Sequence, residues 1–212
     1  MTRPDPDRRA TGTLSLMATA AFKEWAVIVR ALLTGEQILD VRKGGLREDG
    51  RHFAVQANRC WLYPTTEHQR ADLLKPAYER WVAETEADLA APDTVRIEGW
   101  ADVVASVTTT DPDELALLDS KLIWASDYVS ARLNWKRRDP LWVLALRVHR
   151  LEEPLAVPYR EEYGGCTSWV DIEGLPDNPE SLASEPAISD GSFAARLKLT
   201  EQQLGRDFET AA

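Results

Sequence analysis

The 212 residues include only two cysteines, Cys60 and Cys166, and three histidines. The two thiols stand far apart in sequence and in no C-x-x-C pattern. That excludes a secreted disulfide scaffold, and with His52, His68 and His149 they show no zinc-ligand spacing. No apolar run approaches the roughly 18–20 residues of a transmembrane helix. Residues 1–13, MTRPDPDRRATGT, carry charges and prolines where a secretory signal would carry an apolar stretch. A cytoplasmic protein with reduced thiols, no membrane association, no metal and no cofactor is expected. Positive charge is also short: 25 Lys and Arg stand against 35 Asp and Glu, for a net charge of −10. Taken whole, that balance argues against a phosphate-rich partner. What is present is a globular composition, 44% hydrophobic and 28% charged, which excludes collagen, coiled coil and general disorder.

The acidity is uneven. Residues 151–212 hold four positive and thirteen negative charges, and residues 84–119 hold one and ten. Residues 132–150 hold six positive and one negative, and residues 42–80 hold eight and five. An anionic ligand is therefore excluded from some segments and admitted by others.

Residues 1–16 read as a flexible N-terminus. From Thr19 to Leu33 the apolar stripe of Trp25, Ile28, Val29, Leu32 and Leu33 suits a helix, with Gly35 at its C-cap. The β-branched run Val27-Ile28-Val29 alternatively makes Ala26–Leu33 a strand. Strands are expected at 37–42 and at 53–63, the latter stopped by Pro64. Thr66-Glu67-His68-Gln69 has the capping-box pattern of a helix start, and Pro76 opens a second helix carrying Tyr78, Trp81, Val82 and Leu89. A strand covers 96–109. Asp111-Pro112-Asp113-Glu114 starts another helix, and a short one covers 127–133. Leu141–Leu151 is the strongest strand, and 166–172 adds a last one. Residues 173–212 read as an acidic, largely disordered tail with a modest helix over 193–208. The sum is one α+β domain over 17–172: a mixed sheet, or a small barrel of about five strands, flanked by helices.

Four ordered segments, FKEWAVIVRALLTGEQILDVRKGG, RCWLYPTTEHQ, WVLALRVHRL and EYGGCTSWV, resemble the bacterial domain-of-unknown-function family 1802. That resemblance implies a family and no activity. Gly35 to Arg42, after the candidate helix, is similar to the G-x-K-x-x-E-x-R pattern of the ASCH branch of PUA-like barrels. Glycine and arginine match, while Gln37 replaces the lysine and Asp40 the glutamate. The likeness implies RNA or modified-base binding, with amidohydrolase or nuclease activity in some members. The loss of the lysine puts lysine-based catalysis in doubt.

Three constellations carry chemistry. Arg42, Lys43, Arg47 and Arg51 surround Gly44, Gly45 and Gly50, a composition that suits phosphate, although Glu48 and Asp49 equally suit a solvated hairpin loop. Trp135-Lys136-Arg137-Arg138 pairs a stacking ring with cations, as single-strand binding surfaces do; the alternative is a core tryptophan with a basic rim. Glu67 and His68 could serve as an acid–base pair, and Cys166, after Gly164-Gly165, as a nucleophile. Capping and a tight turn explain the same residues without chemistry. The Nudix pattern is absent, and the nuclease-like letters Asp113 and Asp119-Ser120-Lys121 fall on an expected helix. The first expectation is a module that binds RNA or a nucleotide through Arg42, Lys43, Arg47, Trp135, Lys136 and Arg137. The second is a nucleotide- or nucleic-acid-acting hydrolase using Glu67, His68 and Cys166. The third is a protein-interaction module working through the acidic tail.

Overall fold

In a computed structural model that describes residues 19–43, 55–89, 93–134 and 139–211, the chain begins with β1 (Thr19–Trp25), α1 (Ala26–Leu33), β2 (Leu39–Arg42) and β3 (Arg59–Thr65). It continues through α2 (Arg80–Asp88), β4 (Thr94–Thr109), α3 (Pro112–Leu118), α4 (Ser126–Asn134) and β5 (Leu141–Pro158). It ends with β6 (Trp169–Ile172), β7 (Ser184–Pro186), α5 (Asp190–Leu204) and β8 (Glu209–Thr210). The spine is β4 against β5. β4 alternates buried and less buried residues along most of its length, and Leu141–Val148 of β5 is buried almost continuously. That is the pattern of a strand covered on both faces. The sheet order is β2-β5-β4-β3-β1-β6, with β7 on β5 and β8 on β4; β1 and β3 are parallel and the other pairs antiparallel. This is the expected α+β mixed sheet, with eight strands rather than about five.

The segment 19–33 splits at Trp25 rather than forming one helix or a strand over its second half. Ala21 to Glu24 are all buried between β3 and β6, so this strand has no polar face and no period of two to announce it. α1 keeps Val27-Ile28-Val29 helical because seven of its eight residues are buried, and burial outweighs β-branched propensity. Its N-terminus is capped from afar: Val27 N donates to Gln69 Oε1 at 2.9 Å. That contact also explains why Thr66–Gln69 opens no helix. Gln69 is spent on α1 and on Thr85, at 3.2 Å, and Glu67 turns toward Gly165. His68 closes the turn at φ 62°, and one 3-10 turn, Ala71–Leu73, stands where a helix was expected. β3 starts at Arg59, and Pro64 lies within it. The proline lies opposite Glu24 in the β1 ladder and beyond the Arg59–Trp61 stretch that pairs with β4.

Residues 173–211 are folded onto the sheet rather than forming a tail. Few apolar residues sufficed because the surface that receives them already exists: Leu175, Phe193 and Phe208 are buried, β7 and β8 add to β5 and β4, and Arg147 pairs with Asp190. Arg196 donates to the carbonyls of Gly35 and Glu36, tying α5 to the end of α1. Residues 1–16 lie outside the described residues.

Gly35 occupies the left-handed region at φ 74°, and a Cβ there would lie 2.3 Å from Ile188 Cγ2. Gly35→Ala therefore combines backbone strain with a clash against a stiff β-branched side chain. The expected loss is about 2 kcal/mol in urea denaturation.

Candidate functional site

Among the described residues no backbone ladder joins β1 to β2. Arg42 spans the gap: its Nη2 donates to Lys23 O at 2.7 Å and pairs with Glu24, and its Nε lies 3.0 Å from Asp40 Oδ2. All four residues of this bridge are buried. Above it, where β1 ends in Lys23-Glu24-Trp25 and β2 in Arg42-Lys43, a cleft of about 310 Å³ opens. Its other walls are the 65–68 turn, the 165–168 loop, and Trp124, Tyr128 and Arg132 from the α4 side.

One wall is aromatic. Trp25, Trp124 and Tyr128 pack with ring centroids 4.9 Å (Trp25 to Trp124) and 4.5 Å (Trp124 to Tyr128) apart. Trp25 and Tyr128 lie nearly parallel, 6.2 Å apart with 20° between planes. Arg132 stands over the Tyr128 ring at 5.6 Å and donates to its hydroxyl at 2.8 Å. Trp124 Nε1 is buried with no hydrogen-bond partner among the described residues. Another part of the lining is charged. Lys23 Nζ, buried, donates to Tyr163 O at 2.7 Å, to Gly165 O at 2.9 Å and to Glu67 Oε2 at 3.4 Å. Glu67 Oε2 in turn accepts from Gly165 N at 3.0 Å, so Lys23 and Glu67 together fix the loop bearing Cys166.

Electrostatically the cleft inverts the protein's sign. Lys23, Arg42, Lys43 and Arg132 line it against Glu24 and Glu67. Burial pushes the carboxyl of Asp40, 0% exposed, up to about 7; Arg42 opposes the rise and Glu24 adds to it. Burial likewise lowers Lys43, whose ammonium donates to Leu133 O, with Asp139 opposing the fall.

Arg42, Lys43, Glu67, His68 and Cys166 thus share one cleft, although the sequence assigned them to separate constellations. Arg42 and Lys43 are buried and bound to protein acceptors, unlike cations of an open phosphate loop. His68 and Cys166 are exposed and Glu67 half-exposed. Arg47, Trp135, Lys136 and Arg137 lie outside the described residues. Gln37, at the position of the pattern's lysine, is a strut: its Oε1 accepts from Ile123 N at 3.0 Å and its Nε2 donates to Leu39 O at 3.0 Å. Cys60 is sealed in the core, where burial pushes its thiol up to about 12. The sequence reading missed Lys23, Glu24, Trp25, Trp124, Tyr128 and Arg132. Lys23-Glu24 had a legible signal, a charged pair inside an otherwise apolar stretch. Among the described residues no three or more His, Cys, Asp or Glu converge as metal ligands, and no helix is long and apolar enough to cross a membrane.

No curated protein matches the chain. Crystal structures of two single-residue mutants of ZmASCH from Zymomonas mobilis, one serine-to-alanine and one tyrosine-to-phenylalanine, are similar at 14% and 13% identity. Their TM-scores are 0.43 and 0.41, over 75% and 74% of this chain and 91% of each of theirs. The profile of the family described as "Domain of unknown function (DUF1802)" matches residues 21–198. With that much of its length matched, the chain belongs to the DUF1802 family.

Proposed function

We propose that the cleft binds RNA or a modified nucleotide in the cytoplasm. One observation carries the reading: in a protein of net charge −10, the aromatic side chains Trp25, Trp124 and Tyr128 line one cleft together with four basic side chains. Aromatic faces accept any base, and cations complement the phosphate beside it. Tyr128 and Arg132, half-buried and mutually bonded, are the stacking and phosphate-contacting pair. Arg42 and Lys43 contribute field rather than direct grip. Arg47 follows Lys43 in the chain, and Trp135, Lys136 and Arg137 follow Asn134, so both segments leave from elements that border the cleft. They are assigned to the same ligand.

Titration of a short single-stranded RNA, followed by tryptophan fluorescence at 50 mM and 300 mM salt, tests the proposal (both concentrations being about those over which phosphate contacts are lost). Salt-sensitive quenching is expected, and Tyr128→Ala weakens binding about tenfold or more with the fold intact by circular dichroism. No binding at low salt overturns the reading. A second reading, hydrolysis of the bound nucleotide, is favoured by Glu67, His68 and Cys166 lining the same cleft. His68→Ala and Cys166→Ser then abolish turnover on a nucleotide and nuclease panel without weakening binding.

A further inference from the structure

A second cavity, of about 250 Å³, lies behind the Lys23–Glu67 pair. Lys23, Thr65 and Glu67 line both cavities, so this ion pair is the partition between two neighbouring compartments. The second compartment is walled by Tyr63, Tyr159 and Tyr163, with Thr66 and Thr94 adding hydroxyls. Tyr63 and Tyr163 meet edge to face, with centroids 6.0 Å apart. Tyr159 is 44% exposed at the rim, its backbone N–H held by Asp93 O at 2.9 Å. Tyr63, 2% exposed, lines this cavity, and its hydroxyl makes no hydrogen bond among the described residues. Burial pushes that phenol above its ordinary range, with Tyr159, Glu67 and Tyr163 adding to the rise.

The polarity of the two compartments differs. An ammonium has three protons, and those of Lys23 are taken by Tyr163 O, Gly165 O and Glu67. No proton is left for a phosphate in the tyrosine compartment, where Glu67 also contributes negative charge. That compartment suits an uncharged ring with hydroxyl or amine groups at its edge, a nucleoside. Anionic groups belong on the other side, with Arg132 and the cations behind it.

We infer that the site holds two consecutive nucleotides of a single strand, one base against the Trp25–Trp124–Tyr128 wall and the neighbouring nucleoside in the Tyr63–Tyr159–Tyr163 compartment, with the sugar–phosphate link crossing the Lys23–Glu67 partition. This rests on the nucleotide-binding reading above and gives it a minimum ligand length.

Calorimetric titration of the full chain with nucleoside 5′-monophosphates and with the corresponding 5′-phosphorylated dinucleotides tests it. The dinucleotides are expected to bind about tenfold tighter or more, as one added stacked base provides. Tyr159→Ala, at an exposed position, brings dinucleotide affinity down to the mononucleotide level without changing mononucleotide affinity, and Tyr159→Phe retains the gain. Equal affinities for the two lengths overturn the two-compartment site while leaving nucleotide binding in place, as does a Tyr159→Ala variant that weakens both lengths alike. If neither length binds, the underlying reading falls and this inference with it.

Discussion

Arg42→Met lowers stability by about 3–5 kcal/mol at neutral pH, the cost of breaking a buried ion pair from one side. The side chain pairs with two buried carboxylates at once, Glu24 by a close ion pair and Asp40 at 3.0 Å. Its Nη2 also donates to Lys23 O, and its guanidinium lies 4.4 Å from the centre of the Phe22 ring. Methionine keeps the stem volume and the apolar contact with Phe22 but leaves the acids uncompensated. The triple variant that adds Glu24→Gln and Asp40→Asn removes both stranded charges and recovers most of the loss. The effect depends on pH with a definite sign. Asp40 titrates at about 7 in the folded chain against about 4 when unfolded, so the native state binds its proton more tightly. The stability this group contributes is complete below about pH 4 and is lost as pH rises toward 7. Removing Arg42 takes away the main influence holding that carboxyl down, so Arg42→Met is milder at pH 5 than at pH 8, and Asp40→Asn flattens the wild-type slope between them. Urea denaturation at those two pH values measures all three variants. A loss below about 1 kcal/mol at pH 8 contradicts a buried network held by Arg42.

The parts of the fold that the residues announced are those whose local physics and tertiary role agree. Asp111 Oδ1 accepts from Asp113 N at 2.8 Å, as its place before Pro112 leads one to expect, and Gly35 takes the left-handed turn that ends α1. β4 alternates because one of its faces is less covered. Disagreement arose where a residue serves a distant element. Gln69 has the spacing of a local cap, yet its oxygen caps α1, forty-two positions away in the chain. Leu175, Phe193 and Phe208 are too few to build a core but enough to dock on one. In the site, Arg42, Lys43, Glu67, His68 and Cys166 could be picked by chemistry, but their convergence depends on β1 lying beside β3 in parallel register, and no spacing encodes that. The aromatic wall was equally hidden, since Trp25 read as part of an apolar stripe and no spacing places Trp124 and Tyr128 beside it.

Lys23→Met is expected to cost about 3 kcal/mol and to loosen one loop more than the rest of the molecule. The three acceptors of Lys23 come from two directions: Tyr163 O and Gly165 O belong to the loop, and Glu67 Oε2 to the turn after β3. Methionine fills the stem and satisfies none of them. Two carbonyls then seek water, and Glu67 keeps only the Gly165 N–H, at 3.0 Å. Lys23→Arg does not restore the site, because a planar fork cannot direct three protons at acceptors converging on one point. Hydrogen exchange separates this from general destabilisation. Peptides over 161–168 exchange faster in Lys23→Met under native conditions, while peptides over 141–150 in the centre of β5 slow or speed only with global stability. Unchanged exchange at 161–168 contradicts the clamp. Because the same ammonium forms the partition between the two compartments, loosening it also tells the two-nucleotide site apart from a single pocket: Lys23→Met reduces the advantage of a dinucleotide over a mononucleotide, since the link must cross a wall that no longer has a fixed position.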